Sequence, residues 1–146
     1  MATVFDVAAY ILNEQGEMSA LKLQKLVYYA QAWSLVWDEE PIFKDRIEAW
    51  ANGPVCPRLY KEHRGQFRVS RKSLSKGDAR ALVQAQCETL DAVLKFYGKR
   101  DPAWLSNLTH AEDPWKRARK GLEPGERGGA EITRISMQEY YSGLRT

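Results

Sequence analysis

Hydrophobic positions recur with a helical period along most of the chain. Val4, Phe5, Ala8, Ile11 and Leu12 fall on one face. Thr3 caps that helix, and Asp6, three residues on, complements its N-terminus. Asn13 to Gly16 ends it. Ser19 opens a second helix, from Ala20 to about Trp37, in which Leu23, Leu26, Ala30, Trp33 and Trp37 form one wide stripe. Leu21, Tyr28, Ala32 and Leu35 form a second apolar patch on another side. A helix apolar on two sides is packed by neighbours on both, so this segment is expected to be the spine of the domain.

Pro41 disfavours helix at Glu40 and stops the spine. Ile42 to Phe43 and Ile47 to Trp50 read as short extended pieces, and Asn52-Gly53-Pro54 is a turn signal. A third helix is expected from about Val55 to Arg64, with Pro57 in its first turn. Gly65 to Lys76 is a polar, basic loop. Asp78 to Tyr97 reads as one helix, with Val83, Cys87, Leu90, Leu94 and Tyr97 on a face and Gly98 as its stop. Asp101-Pro102 starts another, carrying Trp104, Leu105 and Leu108 to about His110. Asp113-Pro114 repeats the signal before a short basic turn, Trp115 to Lys120. Gly121 to Gly129 is a flexible loop, Ile132 a short strand, and Ser136 the cap of a last helix holding Met137, Tyr140 and Tyr141. No repeat and no linker interrupts residues 1–146. The expected fold class is mainly α: one multi-helix domain around a central apolar helix, with short β elements.

Composition changes this picture little. The chain has 146 residues, of which 44% are apolar, enough to bury a core without metals or disulfides. Five Trp, seven Tyr and four Phe supply packing units, or anchors on a binding surface. The net charge of +3 forces neither a nucleic-acid nor a membrane reading. The N-terminus has no basic start and carries Asp6, and no apolar run approaches the roughly 20 residues of a membrane span. With Cys56 and Cys87 far apart, free thiols in a reducing cytoplasm are expected, with no membrane insertion.

Reactive chemistry finds little support. Cys56, Cys87, His63 and His110 have no metal-site spacing, so no metal or cofactor is expected. Cys87 lies on an apolar face as a small core residue. Cys56, near a helix start, has a position that lowers a thiol pKa, although a packed structural cysteine is the ordinary case. Ser106, His110 and Asp113 straddle a helix end and a proline turn, so a triad is not expected. His110 is expected to bond a free carbonyl at its helix end, and Asp113 to cap the next helix. Gly121 to Gly129 lacks the lysine of a phosphate loop.

Two basic sets stand out: Lys61, Arg64, Arg68, Arg71, Lys72 and Lys76, and then Lys116, Arg117, Arg119 and Lys120. Either they are solvated edges, or folding joins them into a face for nucleic acid or an acidic protein. No helix-turn-helix supports the nucleic-acid reading.

Leu21-Lys22-Leu23-Gln24-Lys25-Leu26-Val27-Tyr28-Tyr29-Ala30-Gln31-Ala32 opens a series of motifs. Ile47-Glu48-Ala49-Trp50 follows, leading through Gly53-Pro54-Val55 to Pro57, Leu59 and Tyr60, and then Leu108-Thr109-His110 with Asp113-Pro114-Trp115. Together with Ile132 and the segment up to Tyr141, their order and spacing resemble the Panacea, or SocA-like, antitoxin domain over nearly the whole chain. The resemblance implies a mainly α-helical, non-enzymatic antitoxin that neutralises a partner toxin, encoded next door and often on a prophage, by direct binding. Alternatives are an adaptor delivering the toxin to the ClpXP protease, or a nucleic-acid-binding regulator of its operon. Leu23, Lys25, Leu26, Tyr28, Glu48, Trp50, Gly53, Pro54, Val55, Tyr60, Thr109, His110, Asp113, Pro114 and Trp115 are expected to be fold determinants, with Lys22 and Lys25 on a polar strip. Partner choice is expected in Trp37 to Phe43, the basic loop to Lys76 and the Gly121 to Gly129 loop. Exposed Trp37 and Phe43 are the expected anchors there, with Arg68, Arg71 and Lys72 adding charge.

Overall fold

The computed structural model describes residues 1–144. In chain order the elements are α1 (Val4–Gln15), β1 (Met18–Ser19), α2 (Ala20–Trp37), β2 (Glu48–Trp50), β3 (Gly53–Val55) and α3 (Pro57–His63). Then follow β4 (Arg68–Val69), α4 (Gln84–Tyr97), α5 (Pro102–Ala111), α6 (Asp113–Ala118) and α7 (Arg134–Leu144). The fold is mainly α and compact. The helix α2 runs through its centre, packed by α1, α4, α5 and α7. Leu23, Leu26, Tyr28, Ala30 and Ala32 are all buried, as the two-sided pattern requires.

Local start signals act as expected. Thr3 and Asp6 form a reciprocal capping box on α1, and Ser19 accepts from the Lys22 amide at the start of α2. Asp101 caps α5 ahead of Pro102. The two sheets are small and antiparallel. The strands β2 and β3 form a hairpin pairing Glu48 with Val55, and β1 pairs with β4 through Met18–Val69 and Ser19–Arg68. Ile132 joins the hairpin edge: its amide donates to the Ile47 carbonyl at 2.8 Å, beside a Glu48–Glu131 bridge.

Several expectations are corrected. The basic loop contains β4. Val55 belongs to the hairpin, so α3 starts only at Pro57. The segment expected as one helix from Asp78 splits into a 3-10 turn, Ala79–Ala81, and α4. Leu82 and Val83 are extended between them, and the Val83 amide is met by Gln86 Oε1 at 2.9 Å. Ile42 and Phe43 form no strand. Both are tied to Gln31 and buried, Phe43 at 0% exposure, so it is no surface anchor. Thr133 caps α7 instead of Ser136, its Oγ1 accepting from the Ser136 amide at 3.1 Å. Lys25 lies on no polar strip: it is 0% exposed, because every face of α2 around it is covered.

Candidate functional site

Four segments distant in sequence meet around an open groove of about 890 Å³. The start of α2 contributes Leu21 and Gln24, and the hairpin contributes Trp50 and Val55. Tyr60 and His63 come from α3, Phe67 from the turn after it, and Gly125 to Gly129 from the loop before α7. The aromatic side is built rigidly. Glu48 Oε1 accepts from Trp50 Nε1 at 2.9 Å, while Glu48 Oε2 is held by Arg46 at 2.8 Å. The Trp50 and Tyr60 rings meet edge to face at 4.9 Å, and Tyr60 meets His63 at 5.3 Å. His63 is fixed in turn by Gln24, 2.9 Å away, and burial lowers its pKa, favouring neutral imidazole. Phe67 has its carbonyl bonded to the Ala20 amide at 2.9 Å, yet its side chain is 80% exposed.

The hairpin that carries Trp50 is anchored from behind by family-motif residues. Lys25 Nζ donates to the Pro54 carbonyl at 3.4 Å. Gly53, at φ +123°, leaves room for that side chain: a Cβ there would stand 2.5 Å from Lys25 Cε and 3.1 Å from Thr109 Oγ1. Desolvation lowers the Lys25 pKa to about 7. Trp115 Nε1 donates to the Trp50 carbonyl at 2.8 Å, and His110 stacks on Trp115 with centroids 4.0 Å apart. His110 is not bonded to a carbonyl at its own helix end: its Nε2 is buried without a hydrogen-bond partner among the described residues, and burial lowers its pKa. Asp113 begins α6 without capping it and pairs with Arg117 at 3.6 Å. The triad fragment is not assembled, since Ser106 Oγ donates to the Asn52 carbonyl.

A further buried cluster centres on Glu112, which sequence reasoning passed over. Its Oε1 accepts from both Tyr29 and Tyr141 hydroxyls at 2.7 Å, and Tyr28 lies 3.0 Å from Tyr141 hydroxyl to hydroxyl. Burial raises the Glu112 pKa, and the two phenols pull it back. The acid inside the Thr109–Trp115 motif was its legible signal.

The residues expected at the partner surface do not form one patch. Trp37, 41% exposed and stacked on Trp33, ends α2, while Arg68 pairs beside its start. The 18 residues of α2 separate them by about 27 Å. Arg68 is engaged by Glu17 at 2.8 Å, and Arg71 Nη1 donates to the Leu74 and Lys76 carbonyls, leaving Lys72 exposed between them and Leu74. Two of the three segments expected to set partner choice, the basic loop through Phe67 and the glycine-rich loop, do converge at the groove.

Cys56 is buried, and desolvation pushes its thiol up to about 11, opposite to the direction its helix-start position suggested. Among the described residues no cluster of three or more His, Cys, Asp or Glu could hold a metal ion, and no helix is long and apolar enough to cross a membrane. Of the ten residues in the two basic sets, three are ion-paired among the described residues, Arg68 with Glu17, Lys76 with Glu62 and Arg117 with Asp113, while Arg119 turns inward to the Ala49 carbonyl at 3.1 Å.

No curated protein and no solved structure matches the chain. A family model described as "Antitoxin SocA-like, Panacea domain" matches residues 23–116, well over half the chain, and covers most of α2, the hairpin, α3 and the joint at Trp115. The chain therefore belongs to the SocA-like antitoxin family with a Panacea domain.

Proposed function

We propose that this chain, acting as one domain over residues 1–146, neutralises a partner protein toxin by binding it directly through the Trp50–Tyr60–Phe67 groove. Membership in the SocA-like family points to a toxin–antitoxin role in general. The observation that carries the direct-binding reading is the pre-built aromatic groove. Trp50 and Tyr60 are held in place by Glu48, His63 and Gln24 before any partner arrives. Rigid, partly exposed aromatic side chains are the residues on which binding energy concentrates, and fixing them in advance removes much of the ordering cost. Trp37, at the far end of α2, stays outside this interface. The reading puts the protein in the cytoplasm, with both thiols reduced and no catalytic step.

Growth of a bacterial host expressing the adjacent reading frame, with and without this chain, tests the proposal. Arrest by the neighbour, relieved by co-expression with unchanged toxin half-life, supports sequestration. Relief with a shortened half-life replaces it by delivery to a protease such as ClpXP. No relief overturns the pairing.

A further inference from the structure

The chemistry of the groove specifies its occupant. Its surface is mainly apolar and aromatic, through Leu21, Trp50, Val55, Tyr60 and Phe67. Its volume of about 890 Å³ lies near the top of the range for sites that enclose small ligands, about 300–1,000 Å³, so it suits a few residues of chain and not a broad flat surface. Two charged residues line it, Glu48 and Arg127. Glu48 is already committed to Arg46 and Trp50. Arg127 lines the groove, and the Arg64 guanidinium sits 5.9 Å over the Tyr60 ring. Among the described residues neither arginine has an ion-pair partner. Gly129 keeps the adjoining loop close to the hairpin: a Cβ there would stand 3.2 Å from Glu48 Oε1.

We propose that the groove takes a short linear segment of the partner protein in which apolar or aromatic side chains are flanked by carboxylates. The apolar side chains lie against Trp50, Tyr60 and Phe67, and the carboxylates meet Arg64 and Arg127. This deepens the direct-binding reading by naming what the toxin would present, and its test needs no toxin.

The purified chain is panned against a library of short random displayed peptides, in parallel with two surface variants, Phe67→Ser and the double charge reversal Arg64→Glu/Arg127→Glu. These side chains are exposed, so the variants are expected to fold, and circular dichroism checks that they do. Peptides joining aromatic or aliphatic residues to Asp or Glu are expected to be enriched on the wild type. They are expected to bind Phe67→Ser at least about tenfold more weakly, a loss of about 1.4 kcal/mol. The charge-reversed variant is expected to select basic flanks instead. The proposal is overturned if the same peptides are enriched on all three proteins, if wild type selects basic or uncharged flanks, or if none is enriched. Since growth rescue is read separately, rescue by wild type and by both variants alike would leave the antitoxin reading standing and remove the groove.

Discussion

Gln24 and Gln31 stand two turns apart on α2, and each clamps the backbone of a neighbouring segment through both ends of its amide. Gln24 accepts from the Cys56 amide at 2.9 Å and donates to the Cys56 carbonyl at 3.4 Å. Gln31 accepts from the Ile42 amide and donates to the Phe43 carbonyl, both at 2.8 Å. These two residues hold the start of α3 and the irregular chain after α2 against the spine. Gln31→Ala leaves a buried donor and acceptor unpaired and is expected to cost about 3 kcal/mol. Urea unfolding checks this. A loss below about 1 kcal/mol would mean that Ile42 and Phe43 hold their place by packing alone.

Lys25 makes stability depend on pH in a specific direction. Its folded pKa, about 7, lies below the ordinary 10.5, so between those values the unfolded chain binds more protons. Stability therefore rises with pH through that window. From about pH 7 to about pH 9, below the range where tyrosines titrate, the gain is about 2 kcal/mol. In Lys25→Met this rise is expected to be lost, leaving only a small opposite slope from the raised Cys56 and Cys87 thiols, and stability at neutral pH is expected to increase. Urea midpoints of both proteins at the two pH values decide it. Equal slopes would show that Lys25 reaches water.

The buried acid at Glu112 separates hydrogen bonding from charge. Glu112→Gln keeps an oxygen for the Tyr29 and Tyr141 hydroxyls and removes a charge that burial disfavours, so its stability is expected to stay within about 1 kcal/mol of wild type. Glu112→Ala strands both hydroxyls and is expected to cost about 3 kcal/mol. Thermal unfolding of the pair is the check. An equal loss in both would assign the role to the ionised carboxylate.

The two cysteines differ in reach. Cys56 is buried with its thiol pushed up to about 11, whereas Cys87 on α4 is half-buried. A thiol reagent at neutral pH is expected to label Cys87 in the native protein and Cys56 only on unfolding. Fast native labelling of Cys56 would reopen it as a nucleophile.

Local signals in the sequence carried most of the helices. Thr3 with Asp6, Ser19 and Asp101-Pro102 act within one turn, so their outcome does not depend on the rest of the chain. The two-sided pattern of α2 likewise reported its central place. What was hidden depends on distant partners. The Met18–Val69 pairing joins residues with two helices between them. Lys25 and Phe43 follow the same logic in opposite senses of hydropathy: a charged residue buried beneath Gly53, and an aromatic expected outside but drawn inward with the backbone bonded to Gln31. The groove was not legible as a unit because four segments build it. Phe67, a lone aromatic within a polar basic loop, was its clearest single trace.

The central claim is that a toxin is held at the Trp50–Tyr60–Phe67 groove. The most direct measurement is the affinity of the purified chain for the purified neighbour whose growth arrest it relieves, compared between wild type and Phe67→Ser. The account expects a stable complex whose Kd rises at least about tenfold in the variant, with the fold unchanged. An unchanged Kd, or relief of arrest with no complex formed, would contradict it.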